Sequence, residues 1–503
     1  MAAGTLTSAG ITAFYLERLH RLNPALHAVI TVSPGATAEA RASDKTRAGG
    51  ASRGPLEGIP VLVKDNIQVA GMPTTAGSPA LLNAGSGDAF LVRRLREAGA
   101  VIIGKANLSE WANFRSAHST SGWSTLGGQT ANPYALERNP SGSSSGSAAG
   151  IAAGLAPLAV GTETDGSIVC PASACGVVGI KPTLGLVSRT GIVPISPAQD
   201  TAGPMARSVA DAAALLSVLA AADPGDPACS DAQRAAELAD GAPDYHGFCD
   251  PGALGGARIG VWRDGSAAAG ASTAAVLDSA VIRLRELGAT VIDPVELPGA
   301  DKIGEPEFAA LLHEFKHSLG AYLAALPGNV PRTLAEMISF NQRNAELVLA
   351  RFGQDLFEQA EAARGGRTDP GYLELRADAA RLARVAMETP LVTHRLDAIV
   401  ALTANPASLT DYVLGDHDVF HTSTPAAVGG YPAMSLPFGY VWGLPVGLSF
   451  MGPRWSEPRL IALAYAFEQA AATAPSATAP SAAGVPPQVT TGPPPHLAET
   501  LSP

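Results

Sequence analysis

Between Gly58 and Lys64 the chain reads Gly58-Ile59-Pro60-Val61-Leu62-Val63-Lys64, an apolar run opened by turn formers and closed by a lysine. Such a run is a short buried strand, and this one carries Lys64 into an apolar interior. Residues 88–100 (DAFLVRRLREAGA) then show helical spacing and end on Gly99, and Val101-Ile102-Ile103-Gly104 follows as another strand. Helix and strand in alternation give the α/β pattern. Leu158-Ala159-Val160-Gly161 and Val446-Gly447-Leu448-Ser449-Phe450-Met451 are further strands, the latter followed by a helix over 457–471. Residues 5–50 read as two helices with a polar connection. Past residue 205 the sheet-like signals thin out, and 305–390 reads as a helical, cap-like layer.

At 503 residues the chain exceeds the ~250–300 at which one core usually stops growing. Two ordinary domains, or one large α/β sandwich with insertions, are both open. Apolar residues make up 46% of the chain, enough for a sizeable core. A net charge of −11, with no lysine/arginine cluster, argues against nucleic-acid and membrane-surface partners and mildly favours cationic substrates. Cys170 and Cys175 read as buried small side chains, whereas Cys229 and Cys249 either pair or remain thiols. The start has amphipathic helical spacing at Ile11, Phe14, Tyr15 and Leu19 rather than a signal peptide. A soluble, cytoplasmic chain is expected. From about residue 473 alanine and proline dominate, which predicts a flexible tail over 473–503 after a unit spanning 1–472.

Three groups of residues compete for chemistry. Gly142-Ser143-Ser144-Ser145-Gly146 matches the nucleophile elbow G-x-S-x-G with Ser144 at its centre, but no strand-like run precedes it. His313-Glu314-Phe315-Lys316-His317 matches H-E-x-x-H. On a helix it would hold zinc, with Glu314 as base and Glu336 or Glu346 as a further ligand. The competing expectation is a structural helix with Phe308, Leu311, Leu312, Phe315 and Leu319 as its apolar stripe and the histidines at its edge. The third group is the serine-rich loop Ser141–Ser147 at a helix start, a second turn Thr162-Glu163-Thr164-Asp165-Gly166-Ser167, and Lys64. Backbone N–H groups at such turns suit anion stabilisation.

The third group resembles the amidase-signature hydrolases. The motifs that carry the likeness are Gly58-Ile59-Pro60 with Lys64, Ser141-Gly142-Ser143-Ser144-Ser145-Gly146-Ser147 and Asp165-Gly166-Ser167-Ile168. Gly179–Thr183, Gln199–Met205 and Gly443–Leu448 extend it. The signature core covers about 58–211, and the likeness spans nearly the whole chain apart from the tail. It implies one large α/β/α sandwich with a mixed, twisted central sheet covered by helices.

The resemblance further implies Ser167 as nucleophile, Ser143 as bridging serine and Lys64 as general base. The backbone N–H groups of Thr164, Asp165, Gly166 and Ser167 form the oxyanion hole, with Gly142, Ser144 and Ser145 in support. A cis Gly142–Ser143 peptide is expected, and neither metal nor cofactor. Lysine acts as a base only when neutral, and burial favours that form. Asp65 would hold it charged, but successive strand side chains point to opposite faces. Departures from the family pattern are Ser145 and Asp165 in place of glycines, and Cys170 near where many relatives carry arginine. The wording Gly161–Pro171, with Asn107–Arg115, is similar to bacterial peptide amidases, which remove the C-terminal amide of peptides. A small-molecule or peptide amide is thus the expected substrate, with no obligatory protein partner. Alternatives are a general aliphatic or aryl amidase and the catalytic subunit of a glutamine-dependent tRNA amidotransferase; zinc hydrolysis at His313 and His317 is more remote. The loop Ser116–Trp123 and the cap over 305–345 are candidates for substrate contact.

Overall fold

A computed structural model of the chain describes residues 1, 5–85, 87–230 and 244–473. The strands are β1 (Val29–Val32), β2 (Pro60–Lys64), β3 (Val101–Ala106), β4 (Trp123–Ser124), β5 (Gly128–Gln129), β6 (Leu158–Glu163) and β7 (Val178–Lys181). They continue with β8 (Thr201–Ala206), β9 (Arg258–Val261), β10 (Thr290–Ile292), β11 (Ala398–Leu402), β12 (Ala433–Val441) and β13 (Leu444–Met451). Among the described residues one sheet of eleven strands runs β1-β3-β2-β6-β8-β7-β12-β13-β11-β9-β10, and β4 pairs with β5. The sheet is mixed. β2 lies parallel between β3 and β6, and β9 lies parallel between β11 and β10. Its other pairings are antiparallel.

Helices cover both faces. Val61 and Val63 of β2 enter a core shared with helices Val209–Leu219, Ala271–Glu286 and Glu457–Thr473. Leu62 enters the opposite core, with Ser8–Leu26, Ala36–Ala48 and Ser145–Ala152. The pleat therefore sends Lys64 to the face of Leu62 and of helix Ser145–Ala152. Asp65 turns away from it, to Lys105 at 3.0 Å, in an ion pair with side-chain exposures of 1% and 0%. The objection that Asp65 would keep Lys64 charged is answered by that pairing.

The sheet extends well past residue 205, contrary to expectation, because β9 to β13 complete it. These strands are weak in sequence: β10 has three residues, β9 contains Gly260, and β12 carries Pro437 and a register shift before Gly439. The N-terminal region also holds more than two helices, since β1 adds to the sheet edge between them. The polar stretch 116–147 is held by buried side chains rather than by a core. Ser109 Oγ accepts the N–H of Gly122 at 2.9 Å, and Asn107 Oδ1 accepts the Ser124 hydroxyl at 2.7 Å. Residues 304–393 are mostly helical, and Leu311, Phe315, Leu319 and Leu323 pack on Trp111 and Phe114. No described helix is long and apolar enough to cross a membrane. The expected tail lies outside the described residues from 474 onward. Cys249 is a free thiol, so the pairing of Cys229 with Cys249 is not formed.

Replacing Lys105 by methionine would leave Asp65 buried without its cation. We expect a loss of about 3–5 kcal/mol in urea unfolding, and a smaller loss in the double variant Asp65→Asn/Lys105→Met.

Candidate active site

Lys64 is fully buried at the end of β2, and its amine faces only oxygens. Nζ lies 2.8 Å from Ser143 Oγ, 3.0 Å from Ser144 Oγ, 2.8 Å from Thr162 Oγ1 and 3.2 Å from the Thr162 carbonyl. Burial pushes its pKa down to about 7, against the charges of Glu163 and Asp200, which favour the ammonium form. A neutral amine has two N–H bonds and one lone pair, so one neighbouring hydroxyl must turn its hydrogen toward it. The Ser144 hydroxyl donates to the Thr162 carbonyl at 3.0 Å and accepts the Thr162 N–H at 3.1 Å. Thr162 Oγ1 accepts from Asn66 Nδ2 at 2.9 Å. The Ser144 hydrogen is thus committed to a carbonyl, and the hydroxyls of Ser143 and Thr162, each 2.8 Å from Nζ, remain to address the lysine lone pair.

The two serine turns meet directly. The Ser144 N–H donates to the Ser167 carbonyl at 3.1 Å, and the Gly142–Ser143 peptide is cis, as the resemblance implies. A Cβ at Gly142 would collide with the hydroxyls of Ser109 and Ser121. The Thr164–Ser167 turn is held by three carboxylates. Glu163 accepts the N–H groups of Ile168 (2.7 Å) and Val169 (3.1 Å), where helix Val169–Ala174 starts. Asp200 accepts the Thr164 hydroxyl at 2.6 Å and the N–H groups of Ile195 and Ser196 at 2.8 Å, and burial pushes its pKa up to about 6. Asp165 accepts the hydroxyls of Ser423 (2.5 Å) and Thr424 (2.6 Å). Burial likewise raises Glu163 and pushes Lys181 down to about 8, each opposed by the charge of the other.

Two cavities flank this turn. One of about 200 Å³ opens over Ser167 and is walled by Gly142, Gly166, Ser121, Leu311 and Asp416. Ser121 and Leu311 come from the two segments expected to reach substrate. The other, of about 460 Å³, is lined by Ser143, Asn66, Thr162 and Tyr322. Asp416, which accepts Ser121 N–H at 2.8 Å and Asn139 Nδ2 at 2.7 Å, is pushed by burial up to about 6.

The rival groups are accounted for. Glu314 is fully buried and accepts from Ser196 Oγ (2.5 Å), Tyr372 (2.7 Å) and Arg376 (2.8 Å), which commits it to holding helix Gly304–Ala325 in place. His317 Nε2 meets the Gly365 carbonyl at 3.2 Å, and Glu336 accepts Arg332 N–H at 2.7 Å. No group of three or more potential metal-ligating side chains forms among the described residues. Ser144 is buried under Thr162 and follows no strand, so it is not an elbow nucleophile.

The sequence matches the family described as Amidase over residues 10–461. It is 43% identical over 476 residues to a probable amidase of Arabidopsis thaliana, covering 92% of this chain and 87% of that protein. The chain belongs to the amidase family. It is similar to the native peptide amidase from Stenotrophomonas maltophilia at TM-score 0.88 and 49% identity, over 93% of this chain and 95% of that one. It is also 36% identical to a glutamyl-tRNA(Gln) amidotransferase component of Symbiobacterium thermophilum, over 93% of this chain and 94% of that protein.

Within this amidase the departures have local reasons. Asp165 takes the place of a glycine because its backbone is not left-handed, and its carboxylate finds Ser423 and Thr424. Ser145 donates to the Ser141 carbonyl at 2.6 Å, which closes the serine loop at the helix start. Cys170 is buried beneath Gly166, and burial pushes its thiol up. Thr162, Asn66 and Asp200 went unassigned in the sequence. Asn66 sits in the turn directly after β2, where the Ile67 N–H returns to the Lys64 carbonyl, so strand alternation gave no signal for its reach to Thr162.

Gly166 has φ +77°, and a Cβ there would lie 2.9 Å from Cys170 Sγ and 3.0 Å from Ser423 Oγ. Gly166→Ala should therefore distort the turn and lower amide hydrolysis about 10²–10³-fold, measured as ammonia release at unchanged far-UV circular dichroism.

Proposed function

We propose that this amidase removes the C-terminal carboxamide of peptides through an acyl-enzyme on Ser167, releasing ammonia. The observation that carries the reading is the short path from the buried Lys64, with Ser143 Oγ at 2.8 Å, to the turn of Ser167. A hydroxyl becomes an effective nucleophile when a base takes its proton. Ser143 passes its proton to Lys64 Nζ and receives that of Ser167, whose oxygen adds to the amide carbon. The oxyanion is held by N–H groups of the turn Thr164, Asp165, Gly166 and Ser167, where each such donor is worth about 3–4 kcal/mol. The proton on Lys64 then returns through Ser143 to the amide nitrogen, the C–N bond breaks, and ammonia leaves. Water repeats the sequence on the ester, freeing the peptide carboxylate and restoring Ser167.

The peptide substrate is favoured by the 49% identity to a peptide amidase over nearly the full chain. The lack of an arginine after Asp165-Gly166-Ser167-Ile168, where Val169 and Cys170 follow, and the lower identity to the amidotransferase component, weigh against a glutamine-dependent partner enzyme. An amidated dipeptide should release ammonia with the wild type in the presence or absence of EDTA, and Ser167→Ala should abolish it. Release that survives in Ser167→Ala would overturn the assignment of the nucleophile.

The pH dependence follows from the base. Lys64 works only when deprotonated, so kcat/KM should rise with pH and level off above about 7. A profile still climbing tenfold per pH unit between pH 8 and 10 would show an ordinary, charged lysine.

A further inference from the structure

A third cavity begins where the wall over Ser167 ends. It shares Asp418 and His421 with that wall and measures about 630 Å³, room for further residues of a bound chain. Its lining carries Asp264, Glu296, Asp301 and Asp418, and no lysine or arginine. All four acidic residues are exposed. The nearest arginine in sequence, Arg263, is engaged by Asp278 and Asp293 at 2.8 and 2.5 Å, and Lys302 stands beside Asp301 outside the wall. A separate feature of the same wall is Trp262, only 6% exposed, whose indole N–H has no hydrogen-bond partner. That N–H is itself buried, so it is the carboxylates of the wall that meet an incoming chain, and they suit a cation.

We propose that this cavity is a subsite for the part of the substrate preceding the amidated residue, and that it selects a cationic side chain there. The proposal rests on the peptide-amide reading above. A reacting carbonyl at Ser167 places the amidated residue in the smaller cavity. The chain leading to it then leaves past Asp418 and His421, into the acidic space. Carboxylates lining a concave wall focus their field toward its interior, and a lysine or arginine entering it displaces no protein cation. Being exposed, each pair is worth at most about fivefold in affinity and is weakened by salt.

The test compares two N-acetylated tripeptide amides that differ only at the first residue, lysine or norleucine. At low salt the wild type should prefer the lysine peptide by about tenfold in kcat/KM, chiefly through KM, and the preference should shrink in high salt. Glu296 and Asp301 line this cavity and not the one over Ser167. The double variant Glu296→Gln/Asp301→Asn should bring the ratio toward one, and Glu296→Lys should lower it further. A wild-type ratio near one, or a ratio unmoved by both variants, overturns the subsite while cleavage of the norleucine peptide upholds the peptide reading. Release of ammonia from neither peptide overturns the peptide reading, and the subsite with it.

Discussion

An amine removed from water among neutral oxygens is the constraint on which the rest of this protein turns. Moving an ammonium into an interior is costly unless a carboxylate or several hydrogen bonds replace its hydration. Two fully buried lysines on neighbouring strands show the two solutions. Lys105 on β3 has Asp65 at 3.0 Å and serves as one half of an ion pair. Lys64 on β2 has the hydroxyls of Ser143, Ser144 and Thr162 and no carboxylate in contact. The second arrangement brings the lysine's pKa down to about 7, as the proposed role of a base requires.

The pleat makes the distinction possible. Lys64 and Asp65 are adjacent in sequence, yet one joins the serine loop and the other joins Lys105. The acids nearest to the serine turn are likewise kept from the amine by backbone and hydroxyl donors. Glu163 is bound to the start of helix Val169–Ala174, Asp200 to Thr164 and the Ile195–Ser196 amides, and Asp165 to Ser423 and Thr424. These contacts fix the turn that carries Ser167, while the charges of Glu163 and Asp200 act on Lys64 from a distance. The same geometry explains why aspartate is accepted at 165 and glycine is needed at 166, where φ is +77°.

Much of this was legible in the chain itself. The strand ending on Lys64, its separation from Asp65, the serine loop at a helix start and the second serine turn all followed from local pattern. The half of the sheet formed by β9 to β13 was harder to see, because β10 is only three residues long and a proline interrupts β12. Thr162, which supplies two of the oxygens around Lys64, was hidden because its role depends on β6 lying beside β2. The H-E-x-x-H pattern was misleading for a similar reason. Its glutamate is tied to Ser196, Tyr372 and Arg376, all of them remote in sequence. Pairings between distant segments leave little trace in local spacing.

The most direct measurement of the central claim is the titration of Lys64 itself. Lysine carrying a ¹³C label beside its amine, followed by NMR in the wild type and assigned by difference from Lys64→Met, reports the protonation of that side chain without reference to turnover. The account predicts a midpoint near 7, with the neutral form dominant at pH 8. A Lys64 signal that stays in the ammonium form up to about pH 10, the ordinary range of lysine, would contradict it.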